Sequence, residues 1–415
     1  MNRFGKYQVV EKIAQGGMAE VFMGLVRVRD GSHRLVALKR LNLETVQDEH
    51  IVTMFEDEAR VTSRIKHPNI VRTHEFFTDG DNKVLSMEFI PGCDGRTVIE
   101  RAKRSGKELP ELMAITIVRD ICLGLEHAHS MTRSDGSPLG LIHRDISPHN
   151  MLVGYNGKTK IIDFGIVKSE VNISRTLAGA MKGKFAYMAP EQIMSKKLDH
   201  RVDVFALTAS LFELLTSQRA FDAPNDFAVL EKIRLGEWGP LPEGMCVNPS
   251  EMSKIIAKGL AGDAEDRFDD ILQLRRKLDS YLEKNFADLS GADLVKAWMR
   301  HQFANEYAHL KSLAQSALQR QGQPVPRPVA PAPTQAVAKE PHSEALPSSP
   351  TSVAESAVED GVPREGQIST PTMSFATRVL DDVSDAHRWA SRLGYSLVAA
   401  AVVLIGIGLW FNPTF

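Results

Sequence analysis

Cysteine is scarce in this chain: Cys93, Cys122 and Cys246 are the only three in 415 residues, and no two form a C-x-x-C pair. That argues against a disulfide framework and a zinc site, and leaves the thiols as reduced, buried small hydrophobes. A surplus of basic residues is missing as well. The formal net charge is -2, so no global positive field attracts nucleic acid, and nucleic acid is not expected as a partner. The opening MNRFGKYQVVEK lacks the apolar core of a secretory signal, and no internal repeat is apparent. Aromatics are few from Gln321 to about Thr377, where Pro, Ala, Ser and Thr dominate. Such a stretch cannot bury enough apolar surface to offset its ordering entropy, so it reads as a disordered linker, semi-extended around Pro324, Pro326, Pro328, Pro331 and Pro333.

Long apolar runs are absent until the end. Leu393 to Phe411 then reads LGYSLVAAAVVLIGIGLWF, 19 residues without a charge, which as a helix would span about 28 Å and match a bilayer core. Arg378, Arg388 and Arg392 precede it and no Lys or Arg follows, so the positive-inside rule keeps the N-terminal part cytoplasmic. Trp389, Tyr395 and Trp410 stand near both ends, where amphipathic rings favour the interface. Only Asn412 to Phe415 follow, and no external sensor domain is expected.

The folded part divides by pattern. Tyr7 to Ala14, Glu20 to Val28, Arg34 to Leu41, Ile70 to Thr78 and Lys83 to Phe89 read as five strands. One helix, Glu49 to Ile65, interrupts them and stops at His67-Pro68. After Pro91-Gly92, apolar spacing turns helical over Pro110 to Ser130, Leu198 to Thr216, Asn248 to Leu260 and Asp269 to Leu282. A small β-rich lobe followed by a larger helical lobe makes an α+β, two-lobed architecture with a ligand site between the lobes.

Ile13 to Val21, IAQGGMAEV, is a glycine turn between strands whose slim backbone can approach phosphate oxygens and offer N–H donors; glycine pairs also mark ordinary hairpins. Lys39 ends the apolar strand VALK, and Glu58 on the next helix is a partner able to orient its ammonium toward phosphates. The decisive segments are LIHRDISPHNMLV, Leu141 to Val153, and KIIDFG, Lys160 to Gly165. They supply a carboxylate at Asp145, an amide at Asn150 and a second carboxylate at Asp163 after an apolar strand. One carboxylate can accept a hydroxyl proton while the amide oxygen and the other carboxylate hold Mg²⁺ on phosphates.

These motifs, in this order, resemble the eukaryotic-type (Hanks-type) serine/threonine protein kinases of bacteria over about residues 7 to 285. The resemblance implies ATP and Mg²⁺, with Mn²⁺ as a substitute, and protein substrates with Ser or Thr acceptors. It also implies that Lys39 binds the α/β-phosphates, Glu58 pairs with it, Asp145 is the catalytic base, and Asn150 and Asp163 hold the metals. Ala14 and Gly16 belong to the glycine loop. Val21, Ala37 and Leu152 sandwich adenine, Met87 is the gatekeeper, and Glu88 to Ile90 form the hinge. Glu191 of MAPEQ pairs with Arg267, Asp203 braces the catalytic loop, and His143 and Phe164 are structural.

Arg144 before the catalytic aspartate implies an activation segment ordered by phosphorylation, with Ser169, Ser174 and Thr176 as acceptors and Thr176 preferred. A homodimer would serve trans-autophosphorylation. The domains are then a kinase domain at 7–285, a helical extension at 286–320, a linker at 321–392 and a transmembrane helix at 393–411. The expected site is the bacterial inner (cytoplasmic) membrane.

Three features depart from the family. Ala14 and Ala19 stand where its loop has glycines, Ser147 replaces a lysine, and Lys184 replaces a threonine. Ser147 and Lys184 read either as two exchanged partners beside Asp145 or as a tolerated loss with Lys184 on the surface. The alternative to an enzyme is a pseudokinase scaffold that binds nucleotide and partners without turnover.

Overall fold

The computed structural model describes residues 3–42, 45–164 and 185–319. All fall in the first of the chain's two units, Met1–Val329. The expected linker and membrane helix, and Ser169, Ser174, Thr176 and Lys184, lie outside these residues. No helix among the described residues is long and apolar enough to cross a membrane.

The N-terminal lobe is one antiparallel sheet. Its strands are β1 (Arg3–Phe4), β2 (Tyr7–Gln15), β3 (Ala19–Arg27), β4 (His33–Leu41), β5 (Thr73–Asp79) and β6 (Asn82–Glu88), in the order β1-β2-β3-β4-β6-β5. The five strands read from the sequence become six, because Gly5 at φ 51° turns Phe4 back onto Tyr7. Two residues are too few for alternation to reveal. Val36, Leu38 and Val84 are fully buried on one side of the sheet with Phe4 and Tyr7, and Leu41, Phe55 and Leu85 make a second cluster under the helix.

That helix, α1 (Glu49–Thr62), starts where the Asp48 carboxylate accepts the N–H groups of His50 and Ile51 at 3.0 and 3.4 Å. It ends three residues before the expected Ile65. The strand expected from Ile70 begins only at Thr73. Ile70 to Arg72 instead cross to the other lobe: the Val71 N–H reaches the Ile161 carbonyl at 2.9 Å, and the Ile161 N–H reaches Asn69 at 2.8 Å. The apolar run was real, but its partner is the C-terminal lobe.

The larger lobe forms around a helix buried on every side. A three-stranded sheet, β7 (Gly92–Asp94), β8 (Met151–Gly154) and β9 (Thr159–Ile161), sits at its cleft edge. The helices are α2 (Gly95–Arg104), α3 (Glu111–His129), α4 (Pro190–Ile193), α5 (Arg201–Thr216), α6 (Asp226–Leu235), α7 (Pro249–Gly259) and α8 (Ile271–Phe286). Val202 through Thr216 of α5 are all buried, so this helix has no solvent face and forms the axis of the lobe. It starts at Arg201 rather than Leu198. Cys122 and Cys246 are buried free thiols as expected, whereas Cys93 is only partly buried.

The expected extension at 286–320 is two helices, α9 (Gly291–Gln302) and α10 (Ala304–Gln319). Ser290 caps α9 by accepting the Asp293 N–H at 3.2 Å.

Candidate active site

Lys39 stands near the end of β4, in register between Val21 of β3 and Leu85 of β6. The strand presents its ammonium at the cleft, 2.7 Å from Asp163 Oδ1 and 3.6 Å from Glu58 Oε1 on α1. Burial works against the charge on Lys39, but Asp163 and Glu58 outweigh it, so its affinity for the proton rises. Glu58 goes the other way. Burial pushes its carboxyl up to about 7 against the pull of Lys39, with Asp163 and Asp145 adding repulsion.

Asp163 follows β9 in a left-handed conformation, φ 53°. The neighbouring Ile162 N–H bonds the Asn150 carbonyl at 3.1 Å. Asn150 closes the short 3-10 turn Pro148–Asn150 and donates its amide nitrogen to the Asp145 carbonyl at 2.7 Å and to Asp145 Oδ2 at 2.9 Å. The five residues singled out from sequence, Lys39, Glu58, Asp145, Asn150 and Asp163, are thus linked from one lobe to the other.

The backbone leading to Asp145 is held from below. Asp203, fully buried in α5, accepts the N–H groups of His143 and Arg144 at 2.8 Å each and faces His129 Nε2 at 2.8 Å. Burial alone would raise its carboxyl, but the hydrogen bond and charge of His129, helped by His143, hold it below the usual carboxylate range. Those bonds fix Arg144 at φ 65°, a costly conformation for a non-glycine residue unless its surroundings impose it. His143 is buried and packs on Phe164 with ring centroids 4.7 Å apart, as a structural pair.

Two buried threonines join α1 to the sheet behind Lys39. Thr73 Oγ1 bonds Thr62 Oγ1 at 2.9 Å, and Thr62 Oγ1 bonds the Glu58 carbonyl at 2.7 Å. Sequence reading passed over both. It also missed Asn42, whose amide nitrogen reaches the Gly17 carbonyl at 2.9 Å and whose N–H reaches Met18, pinning the glycine turn. Gly16 N–H closes that turn on the Ala19 carbonyl at 2.8 Å. Ala14 and Ala19 lie in paired strand positions opposite Val21 and Leu41, so their methyl groups are accommodated.

Deeper in the C-terminal lobe, Glu191 opens α4 and meets Arg267 in a two-pronged pair at 2.7 Å for both contacts. Arg267 is 1% exposed and also donates to the carbonyls of Ala261, Gly262 and Arg201. Glu213, ten residues after Asp203 on α5 and equally buried, accepts from Arg96 of α2 at 2.6 Å and from the Tyr187 hydroxyl. Ser147 is 2% exposed, and its hydroxyl finds no partner among the described residues. Lys184, its expected counterpart, is outside them.

Residues 7–273, which build both lobes of this cleft, match the protein kinase domain family. The chain belongs to the protein kinase family. Among relatives, the chain is 38% identical over 304 residues to "Tyrosine-protein kinase MasK" of Myxococcus xanthus, covering 73% of this chain and 47% of that protein. It is 30% identical to "Serine/threonine-protein kinase PknL" of Mycobacterium tuberculosis, covering 67% of this chain and 66% of the relative. It is also 30% identical to "Probable serine/threonine-protein kinase PknB" of Lactococcus lactis, covering 65% and 41%. The chain spans somewhat less than half the length of the MasK and PknB relatives it matches and about two thirds of the PknL relative.

In this kinase, Met87 pairs with Ala37 and with Thr73 at the end of β6. Of the hinge amides, the Glu88 N–H is already committed to the Arg72 carbonyl at 2.8 Å, which leaves it no proton to offer a ligand. The Glu88 carboxylate holds Lys160 of β9 with both oxygens at 2.8 Å, a tie between hinge and C-terminal lobe that the sequence did not suggest. Val21 and Ala37 lie on β3 and β4, and Leu152 lies on β8 opposite Asp94.

Proposed function

We propose that this protein transfers the γ-phosphate of ATP to Ser or Thr hydroxyls of proteins. The observation carrying this reading is the convergence of Lys39, Glu58 and Asp163 with the Asp145–Asn150 loop. The Asp163 carboxylate and the Asn150 amide oxygen are hard donors of the kind Mg²⁺ or Mn²⁺ takes. Asn150 spends its nitrogen on Asp145, which turns its oxygen away from that carboxylate. Among the described residues no group of three or more His, Cys, Asp or Glu is placed to hold a metal, so an ion here leans on the substrate phosphates as well. Once bound, it neutralises charge developing on the transferring group.

Each side chain then has a task. Lys39, oriented by Glu58, holds the α/β-phosphates. Val21, Ala37 and Leu152 flank the adenine, Met87 lines the rear of the cleft, and the Ile90 backbone serves the hinge. Asp145 accepts the proton of the attacking hydroxyl. With all these groups assembled, turnover is favoured over a pseudokinase scaffold.

Tyrosine acceptors are the second reading. Two observations favour it: Ser147 in place of the expected lysine, and a relative named as a tyrosine-protein kinase. Radiolabelled ATP and Mg²⁺ with the purified protein, followed by phosphoamino-acid analysis, separates the readings. Phosphoserine and phosphothreonine are expected, with label on the protein's own Thr176, Ser174 or Ser169. Phosphotyrosine alone supports the second reading, and nucleotide binding without label supports the scaffold.

We further propose that residues 393–411 anchor the kinase to the bacterial inner membrane with its catalytic domain in the cytoplasm, where a homodimer could autophosphorylate in trans. Truncation before Ala386 should release it into the soluble fraction with turnover intact. A truncated protein that still sediments with membranes defeats this assignment.

A further inference from the structure

We infer that α9 and α10, which lie beyond the matched residues 7–273, form a strap across the outside of the hinge that sets how far the two lobes open. Tyr155, at the end of β8, is its anchor. Its N–H bonds the carbonyl of Pro91, directly after the hinge, at 2.8 Å, and its carbonyl accepts from Arg300 Nε of α9 at 3.0 Å. Its ring packs edge-on to Tyr307 of α10, centroids 5.1 Å apart, and against Phe303 at 6.4 Å. One residue therefore holds the chain directly after the hinge with its N–H and the strap with its carbonyl and its ring.

Neighbouring contacts keep the strap in place. Arg101 of α2 donates to the Gln302 carbonyl at 2.6 Å, pairs with Glu306, and stacks over Phe303 at 4.2 Å. Gly157, at φ 87° in the turn after Tyr155, approaches α9 so closely that a Cβ there would lie 2.1 Å from the Ala292 carbonyl. Such an approach leaves no room for slip. From this base on the C-terminal lobe, α10 extends to the other lobe. His309 Nε2 lies 3.5 Å from Glu11 Oε2 on β2, the strand that leads into the glycine turn.

A helix fixed at one lobe, passing the hinge and touching the first long strand of the other lobe, limits opening of the cleft between them. Lobe opening governs nucleotide entry and release. That last consequence rests on the ATP reading of the cleft; the strap itself does not. The His309–Glu11 contact to the N-terminal lobe is modest, since exposed polar pairs contribute little individually. The restraint comes from the rigidity of α10 on its well-packed base.

Hydrogen exchange of the full chain tests the strap without relying on catalysis. His309→Glu sets a like charge against Glu11, and Tyr307→Ala removes the ring contact to Tyr155. Both should speed exchange in Tyr7–Gln15 and residues 88–92, Tyr307→Ala by roughly three- to tenfold, the scale of one aromatic contact, and His309→Glu by about twofold, the scale of a like-charge surface pair. Exchange in α5 should not change. Adding Glu11→Lys to His309→Glu puts a Lys–Glu pair in place of the contact and should restore slow exchange. Unchanged exchange at β2 and the hinge in both variants, absence of rescue, or an equal rise in α5 would overturn the strap. A fluorescent ATP analogue that fails to bind the wild-type protein would instead defeat the proposed function, while the exchange results still decide the strap.

Discussion

Replacing Asp145 with asparagine should lower phosphotransfer by roughly 10²- to 10⁴-fold, the range attributed to a positioned general base, while leaving nucleotide affinity close to wild type. The substitution keeps the size of the side chain and an oxygen for the Asn150 amide, which now sits 2.9 Å from Asp145 Oδ2. It removes the only feature the chemistry needs there, a group that can accept the acceptor's proton. Lys39 and Asp163, 2.7 Å apart, are untouched, so phosphate binding survives. Initial rates and nucleotide binding measured side by side check this, and wild-type turnover in the variant would remove Asp145 from its assigned role.

Arg267→Ala should be the most damaging single change to stability. It strands the buried Glu191 carboxylate and removes donors from three backbone carbonyls. Breaking a buried pair in this way costs about 3–5 kcal/mol, and at about 2–4 °C per kcal/mol for domains of 150–250 residues that lowers Tm by roughly 10 °C. The double variant Arg267→Met with Glu191→Leu should recover much of the loss, because replacing both charges by apolar groups removes the desolvation cost as well as the attraction. Thermal and urea unfolding of the two variants separates these effects. Equal destabilisation of both would mean that the carbonyl contacts of Arg267 outweigh its pairing with Glu191.

Legibility of the sequence followed the strength of local chemistry. Lys39, Asp145, Asn150 and Asp163 stood out because polar groups follow apolar strands or crowd into a short loop, and the structure joins all four. Alternation marked the long strands, yet the same rule merged Ile70 with Thr73. Apolar residues look alike whether they pair with β6 or with β9. α2 was missed although Asp94 caps it, with Oδ1 accepting the Thr97 N–H at 2.9 Å, and Val98, Ile99 and Ala102 form its buried face. The signal was present but short. Asn42, the Thr62–Thr73 bond and the Glu88–Lys160 tie carried none, since each joins residues that only the fold brings together. For α9 and α10 the helical spacing was readable, but the surface that receives Phe303 and Tyr307 was not.

The all-round burial of α5 has a geometric consequence for the kinase. Asp203 and Glu213 sit on one rod, ten residues apart, which at the rise of an α-helix is about 15 Å. The first carboxylate grips the backbone of His143 and Arg144; the second grips Arg96 of α2 and Tyr187. The spacing between the His143–Arg144 backbone and the Arg96–Tyr187 pair is therefore tied to helix pitch. Loops around the cleft can vary in length without disturbing it, whereas losing one residue between these carboxylates would shorten the ruler by about 1.5 Å and turn its far mark by about 100°.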